Sequence, residues 1–294
     1  MRVHLVDGTF ELFRAHYAPR PSHTAPSGKD LKATVGVIGS LLALLADAEE
    51  AVTHLAVAFD NPIRSFRNDL FDGYKTEAGI DPALAAQFDD VEAAVAALGV
   101  VVWSMKDFEC DDALATAAVR FAKDPAVTQV RVMTPDKDLG QVLSGERVVQ
   151  VDRMRRRVFT EATLRAERGF GPQSVPDFLA LVGDTADGIP GLDGWGEKGA
   201  QAVLSTYPHL EAIPDDAKAW TVKVRGAEKL AGTLAAHRAE VRLYRTLATL
   251  RLDVPLKESL DELRWQGAPA DRWRAWCAGA GVEKFSDRPA RFRP

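Results

Sequence analysis

Asp107-Phe108-Glu109-Cys110-Asp111-Asp112 is the stretch on which the reading of this chain turns. It follows an apolar run, Val100-Val101-Val102-Trp103, and leads into Ala113-Leu114-Ala115-Thr116-Ala117-Ala118-Val119, which has the character of a buried helix. Glu109, Asp111 and Asp112 therefore stand where a core strand hands over to a helix. Carboxylates so close repel one another and call for a positive charge among them, and hard oxygen ligands suit Mg²⁺ or Mn²⁺. Acids also decorate helix N-termini because the helix dipole favours them, so the stretch alone leaves both readings open.

The same motif recurs along the chain. Val3-His4-Leu5-Val6 ends in Asp7-Gly8, and the apolar run from His54 to Phe59 ends in Asp60. Val130-Arg131-Val132-Met133 leads to Thr134-Pro135-Asp136-Lys137-Asp138, and residues 148–151 form a further strand pattern. Helical patterns at residues 33–48 and 89–98 fall between the strands. That alternation predicts an α/β fold with a mostly parallel central sheet. Ligands of such sheets bind outside the carboxyl ends of the strands. One acid there is an ordinary turn or cap residue; acids after four strands point to a site.

Past about residue 160 the pattern changes to helices and turns. Residues 176–182 read as a helix, followed by Gly183-Asp184-Thr185-Ala186-Asp187-Gly188-Ile189-Pro190-Gly191. Gly194-Trp195-Gly196-Glu197-Lys198 then opens a helix running to about residue 206. Glycines at a helix start let backbone N–H groups approach an anion, although ordinary helix–turn–helix packing is the more frequent reason for such a pair. Residues 227–250 read as one long basic helix, mostly a solvated face. Trp265, Trp273 and Trp276 suggest a satellite core, and residues 288–294 a loose tail.

The sequence has 294 residues, with 46% apolar and 27% charged, which describes an ordinary soluble globular chain. A net charge of −5 gives no global basic signature, but metal-binding acids lower net charge without precluding a local basic surface. Two cysteines, Cys110 and Cys277, exclude a disulfide framework. No signal-peptide pattern and no membrane-length apolar run is present, so a cytoplasmic protein without membrane contact is expected.

Taken together, these motifs resemble those of the 5′-nuclease (flap endonuclease) family, which includes the 5′→3′ exonuclease domain of bacterial DNA polymerase I. The likeness is carried by Val6-Asp7-Gly8 with Phe13-Arg14, Phe59-Asp60, Ser65-Phe66-Arg67, Tyr74-Lys75 and Glu109-Cys110-Asp111-Asp112. It continues through Thr134 to Leu139, Gly183 to Gly191 and Gly194 to Lys198, in family order over roughly residues 3–206.

The resemblance implies a PIN-like core over 1–165 and a helical lobe over 166–294, with a helix–three-turn–helix (helix-hairpin-helix) motif at about 176–206. It implies two or more Mg²⁺ or Mn²⁺ ions. Asp7, Asp60, Glu109 and Asp111 match one ligand cluster, with Asp112 beside it; Asp136, Asp138, Asp184 and Asp187 match the rest. Lys75 matches the active-site lysine, and Arg14 and Arg67 match basic residues near the scissile phosphate. Gly194, Gly196 and Lys198 match the DNA-binding hairpin, which in the family is helped by K⁺. The implied activity is divalent-metal-dependent hydrolysis of flap, nicked, gapped or 5′-overhang DNA in replication or repair. The protein would act as a monomer, with a DNA polymerase as a partner in trans. The competing readings are a non-catalytic DNA-junction binder and a PIN-like RNase.

Two departures stand out. Trp195 replaces a smaller aliphatic residue in the hairpin. Residues 76–105 carry five acids (Glu77, Asp81, Asp89, Asp90, Glu92) and no Lys or Arg, where relatives commonly place basic residues around the 5′ strand. A weakened grip on long single-stranded 5′ tails is expected from this.

Overall fold

The computed structural model describes all 294 residues, which divide into two compact units. The first comprises residues 1–64, 77–134 and 252–294; the second comprises 65–76 and 135–251. This division differs from a single cut at 165/166, because residues 135–165 group with the second unit and 252–294 with the first.

The first unit is built on β1 (Arg2–Asp7), α1 (Gly8–Tyr17), α2 (Lys32–Ala46) and β2 (His54–Asp60). After the short α3 (Arg67–Leu70), which belongs to the second unit, come α4 (Pro82–Ala85), α5 (Phe88–Ala97), β3 (Val101–Met105), α6 (Cys110–Phe121) and β4 (Gln129–Met133). The strands lie in the order β3-β2-β1-β4 and all pair in parallel. Every residue of β2 is buried, as a central parallel strand covered by helices requires. α6 packs across all four strands. The register sets Asp7 beside Ala58 and Asp60 beside Met105, so the acids sit at one carboxyl edge. Gly8 makes the turn out of β1 possible: a Cβ there would lie 2.4 Å from the Phe59 ring.

The tail of the first unit carries α12 (Ala270–Ala280), flanked by β7 (Ala268–Pro269) and β8 (Phe292–Arg293). Trp265 and Trp273 are buried, and Trp273 stacks on Trp276 at 5.1 Å, which makes the expected satellite core. The end of the chain is not a loose tail: β8 pairs with β7 through Ala268↔Phe292 and Pro269↔Arg293.

The second unit holds an antiparallel pair, β5 (Val148–Asp152) and β6 (Arg157–Phe159). Its helices are α7 (Glu161–Arg168), α8 (Val175–Val182), α9 (Glu197–Leu204), α10 (Ala227–Ala236) and α11 (Arg238–Ala248). The single helix expected over 227–250 is in fact two. His237, at φ −119° and ψ 28°, leaves the helical region and ends α10. Arg238 then turns inward, donating to the carbonyls of Leu210 and Ile213 at 2.6 Å. No helix is long and apolar enough to cross a membrane.

Candidate functional site: two carboxylate clusters

In the first unit the parallel edge gathers Asp7, Asp60, Glu109, Cys110, Asp111 and Asp112. Ligand atoms of Asp7, Cys110 and Asp111 lie within 4.8 Å of one another. Asp7 caps α1, its Oδ1 accepting the N–H of Phe10 at 2.7 Å and its Oδ2 the hydroxyl of Thr134 at 2.9 Å. Asp60 Oδ1 accepts the N–H of Cys110 at 2.7 Å, and its own N–H donates to Thr9 Oγ1 at 2.8 Å. Asp112 is fully buried and returns to the N–H of Glu109 at 3.0 Å, completing a capping box with Glu109. Burial and then the carboxylates of Asp7, Asp60 and Asp111 push the Cys110 thiol well above its ordinary range.

Arg14 is paired with Glu11 and lies 3.3 Å from Ser40 Oγ. The acids of 77–92 are engaged within the same unit: Asp81 with His16 at 3.0 Å, Asp90 with Lys29 at 2.6 Å, and Asp89 with Asn61 at 2.9 Å.

The second unit carries its own cluster, in which Asp138, Asp184 and Asp187 bring ligand atoms within 4.8 Å. Asp136 caps the 3-10 turn Lys137–Val142, accepting the N–H of Asp138 at 2.9 Å, and does not join that trio. Asp184 and Ile189 close a tight loop through paired backbone bonds of 2.8 Å. Gly188 sits in that loop at φ +76°, where a Cβ would stand 2.1 Å from the Gly73 carbonyl oxygen. The close approach lets Lys75 donate its N–H to the Asp187 carbonyl and set its ammonium 3.0 Å from Asp187 Oδ1.

Burial, followed by the charges of Asp136 and Asp187, pushes the Asp138 carboxyl well above the usual range. Its Oδ1 is buried and accepts no hydrogen bond. Lys137 answers part of this charge, 2.5 Å from Asp184 and 3.8 Å from Asp138. Burial opposes charging Lys137, but Asp138 and Asp184 outweigh it and raise its pKa.

Arg67 is 1% exposed, and its Nε and Nη2 donate to the carbonyls of Leu247 and Thr249, so its guanidinium braces the end of α11. Gly194, Gly196 and Lys198 are exposed at the start of α9. Trp195 between them turns inward: it is 3% exposed, donates Nε1–H to the Leu230 carbonyl at 3.1 Å and packs on Trp220. Thr9, Thr134, Lys137 and Cys110 take part in these clusters without having been singled out in the sequence. Their only signal is adjacency to the acids.

Oxygen donors dominate both trios, and a buried Asp138 oxygen without a hydrogen bond is a donor seeking a cation. The residues present thus fit a hard divalent ion.

Residues 2–169 match the family model described as 5′-3′ exonuclease, N-terminal resolvase-like domain. Residues 170–271 match 5′-3′ exonuclease, C-terminal SAM fold. A 5′-3′ exonuclease of Bacillus subtilis is 31% identical over 265 residues, 88% of this chain and 86% of the relative. DNA polymerase I of Mycobacterium leprae is 35% identical over 273 residues, 91% of this chain but 29% of that protein. This chain therefore spans less than a third of the length of such polymerase relatives. Among solved structures, T5 5′-exonuclease with bound divalent metal ions (zinc) is 18% identical, covers 97% of each chain and has a TM-score of 0.63. The catalytic core of Rad2 in complex with DNA substrate is 13% identical, covers 97% of this chain and 90% of its own, and has a TM-score of 0.62. These likenesses establish the α/β, PIN-like fold with a helical C-terminal domain. Matched in order by both domain models, and over nearly its whole length by a relative of similar size, the chain belongs to the 5′-3′ exonuclease family, whose members are nucleases.

Proposed function

We propose that this protein is a divalent-metal-dependent 5′-nuclease that hydrolyses DNA phosphodiester bonds near junctions of duplex and 5′ single strand. The observation that carries the reading is the pair of carboxylate clusters, one in each unit, at positions matching the family motifs. Asp7 and Asp111, with Asp60 and Glu109 beside them, would hold one Mg²⁺ or Mn²⁺; Asp138, Asp184 and Asp187 would hold another. When bound, such ions supply Lewis acidity and positive charge for phosphodiester hydrolysis.

The chain's own residues then have separable tasks. Lys75 would direct its ammonium at the anionic phosphate, while its backbone bond to Asp187 fixes where that ammonium starts. Thr134 and the N–H of Phe10 hold the Asp7 carboxylate in one orientation. Asp112 and Asp136 serve as caps that position neighbouring ligands. Arg14 would add positive charge near the phosphate, whereas Arg67 would act from behind by holding α11 in place. Gly194, Gly196 and Lys198 would contact duplex phosphates through exposed backbone N–H groups and an ammonium, with K⁺ as an aid. DNA polymerase acting in trans would be the natural partner for gap and nick processing.

The test is incubation of the purified chain with a 5′-labelled flap duplex in Mg²⁺, in Mn²⁺ and in EDTA. Metal-dependent release of a fragment cut near the junction supports the proposal. Tight junction binding with no cut in either metal favours a binding protein, and cleavage confined to RNA favours a PIN-like RNase.

A further inference from the structure

Lys137 occupies the place where the second cluster concentrates its charge. Its ammonium stands 2.5 Å from Asp184 Oδ2 and 3.8 Å from Asp138 Oδ1. Asp138 is 6% exposed and its Oδ1 accepts no hydrogen bond, so this carboxylate depends on a cation for compensation. The Lys137 side chain is different: it is 47% exposed, on a flexible four-carbon stem. It also lines a cavity of about 150 Å³ whose wall includes Leu164, Phe170 and Glu167. The Asp138 and Asp184 carboxylates are buried, whereas the Lys137 side chain is half exposed and borders that cavity.

We propose that Lys137 is a displaceable internal cation of the Asp138–Asp184 pair, holding the cluster together without a divalent ion and swinging aside for one to bind. The proposal rests on reading this cluster as a divalent site. Lys75 answers Asp187 at 3.0 Å and Lys137 closely contacts only Asp184, so neither ammonium comes closer than 3.8 Å to Asp138 Oδ1, which stays open to a better ligand. Ion entry here carries the added cost of breaking the Lys137–Asp184 bond, a cost that the Asp7–Asp111 cluster does not bear through this residue. The second cluster should therefore load at higher ion concentration than it would with a neutral residue at position 137, while Lys137 moves toward the cavity beside Glu167.

The test is equilibrium Mn²⁺ binding to the full chain, read by electron paramagnetic resonance of the free ion, with melting followed in parallel. Wild type, Lys137→Met, Asp138→Asn and Asp111→Asn are compared. The expected result is two classes of site, one lost in Asp138→Asn and the other weakened in Asp111→Asn. Lys137→Met should tighten the class lost in Asp138→Asn by about tenfold or more, leave the other class unchanged, and lower the metal-free melting temperature in a way that Mn²⁺ restores. Two classes with affinities unaltered in Lys137→Met would overturn the displaceable-cation role and leave the nuclease proposal intact. Absence of any class removed by Asp138→Asn would overturn the reading of this cluster as a divalent site, and the inference with it.

Discussion

Asp60 Oδ1 accepts the backbone N–H of Cys110 at 2.7 Å, so the last residue of β2 anchors the first residue of α6. A single carboxylate thereby fixes the spacing between two strand-end segments that are 50 residues apart in sequence.

That bond separates structural from chemical roles. Asp60→Ala leaves a buried N–H without its acceptor and is expected to cost about 1–3 kcal/mol of stability in urea unfolding. Asp60→Asn retains an acceptor oxygen and should stay within about 1 kcal/mol of wild type, yet lose divalent-dependent cleavage. Equal stability losses in the two variants would contradict the assignment.

Acid stability should report the cluster of His4, Glu50 and Arg131. His4 Nε2 lies 3.0 Å from Glu50 Oε2, and Arg131 Nη2 donates to Oε1 at 2.9 Å. The contact with His4 first, then the Arg131 charge, lowers the Glu50 carboxyl from 4.5 to about 2, against the opposing effect of burial. A depressed carboxylate stabilises the fold fully above its unfolded value and loses that contribution as pH falls. Stability in wild type should therefore decline between pH 4.5 and about 2 more steeply than in Glu50→Gln, the variant being about 1–2 kcal/mol weaker at neutral pH. Parallel pH curves from urea unfolding would exclude this role.

The hairpin divides into a structural and a binding residue. Trp195→Ala removes a buried indole and its bond to Leu230, with an expected loss of about 3–5 kcal/mol in unfolding experiments. Lys198→Ala, at an exposed position, should leave the melting temperature unchanged. It should weaken duplex binding and reduce the salt slope of log K by about 1. An unaltered salt slope would remove Lys198 from the DNA interface.

Flap length offers a test of the segment lacking Lys and Arg at 76–105. With no Lys or Arg the segment has no basic surface of its own, and Asp81, Asp90 and Asp89 are engaged with His16, Lys29 and Asn61. Cleavage rate should fall as the 5′ flap lengthens, while nicked and gapped substrates remain good. Undiminished rates on long flaps would show that the 5′ strand is held elsewhere.

Much of this arrangement was legible because parallel strands leave a strong trace. Four apolar runs each hand over to an acid, and because β1, β2 and β3 run parallel, the acids after them fall at one carboxyl edge of the first unit. The two acids after α8, Asp184 and Asp187, were readable from their Gly- and Pro-rich surroundings. What the sequence did not reveal is set by tertiary contact. Arg67 carries the family motif, yet its guanidinium is spent on two carbonyls at the end of α11. Trp195 lies in an exposed hairpin motif but folds into the core. His237 breaks a helix whose apolar and basic spacing continues through it. Lys137 looks like a spacer between two acids until the loop bearing Asp184 is placed beside it. None of these outcomes follows from local periodicity, because each depends on a partner tens of residues away or more.

The central claim is most directly tested by single-turnover cleavage of a 5′ flap duplex by wild type and by Asp111→Asn in Mg²⁺. Far-UV circular dichroism and DNA binding would be measured on the same samples. Fold and binding should persist while the cleavage rate drops by about a thousandfold or more, as expected when a charge-stabilising group is removed from the reaction. Cleavage by Asp111→Asn at the wild-type rate would show that the Asp7–Asp111 cluster plays no part in the reaction.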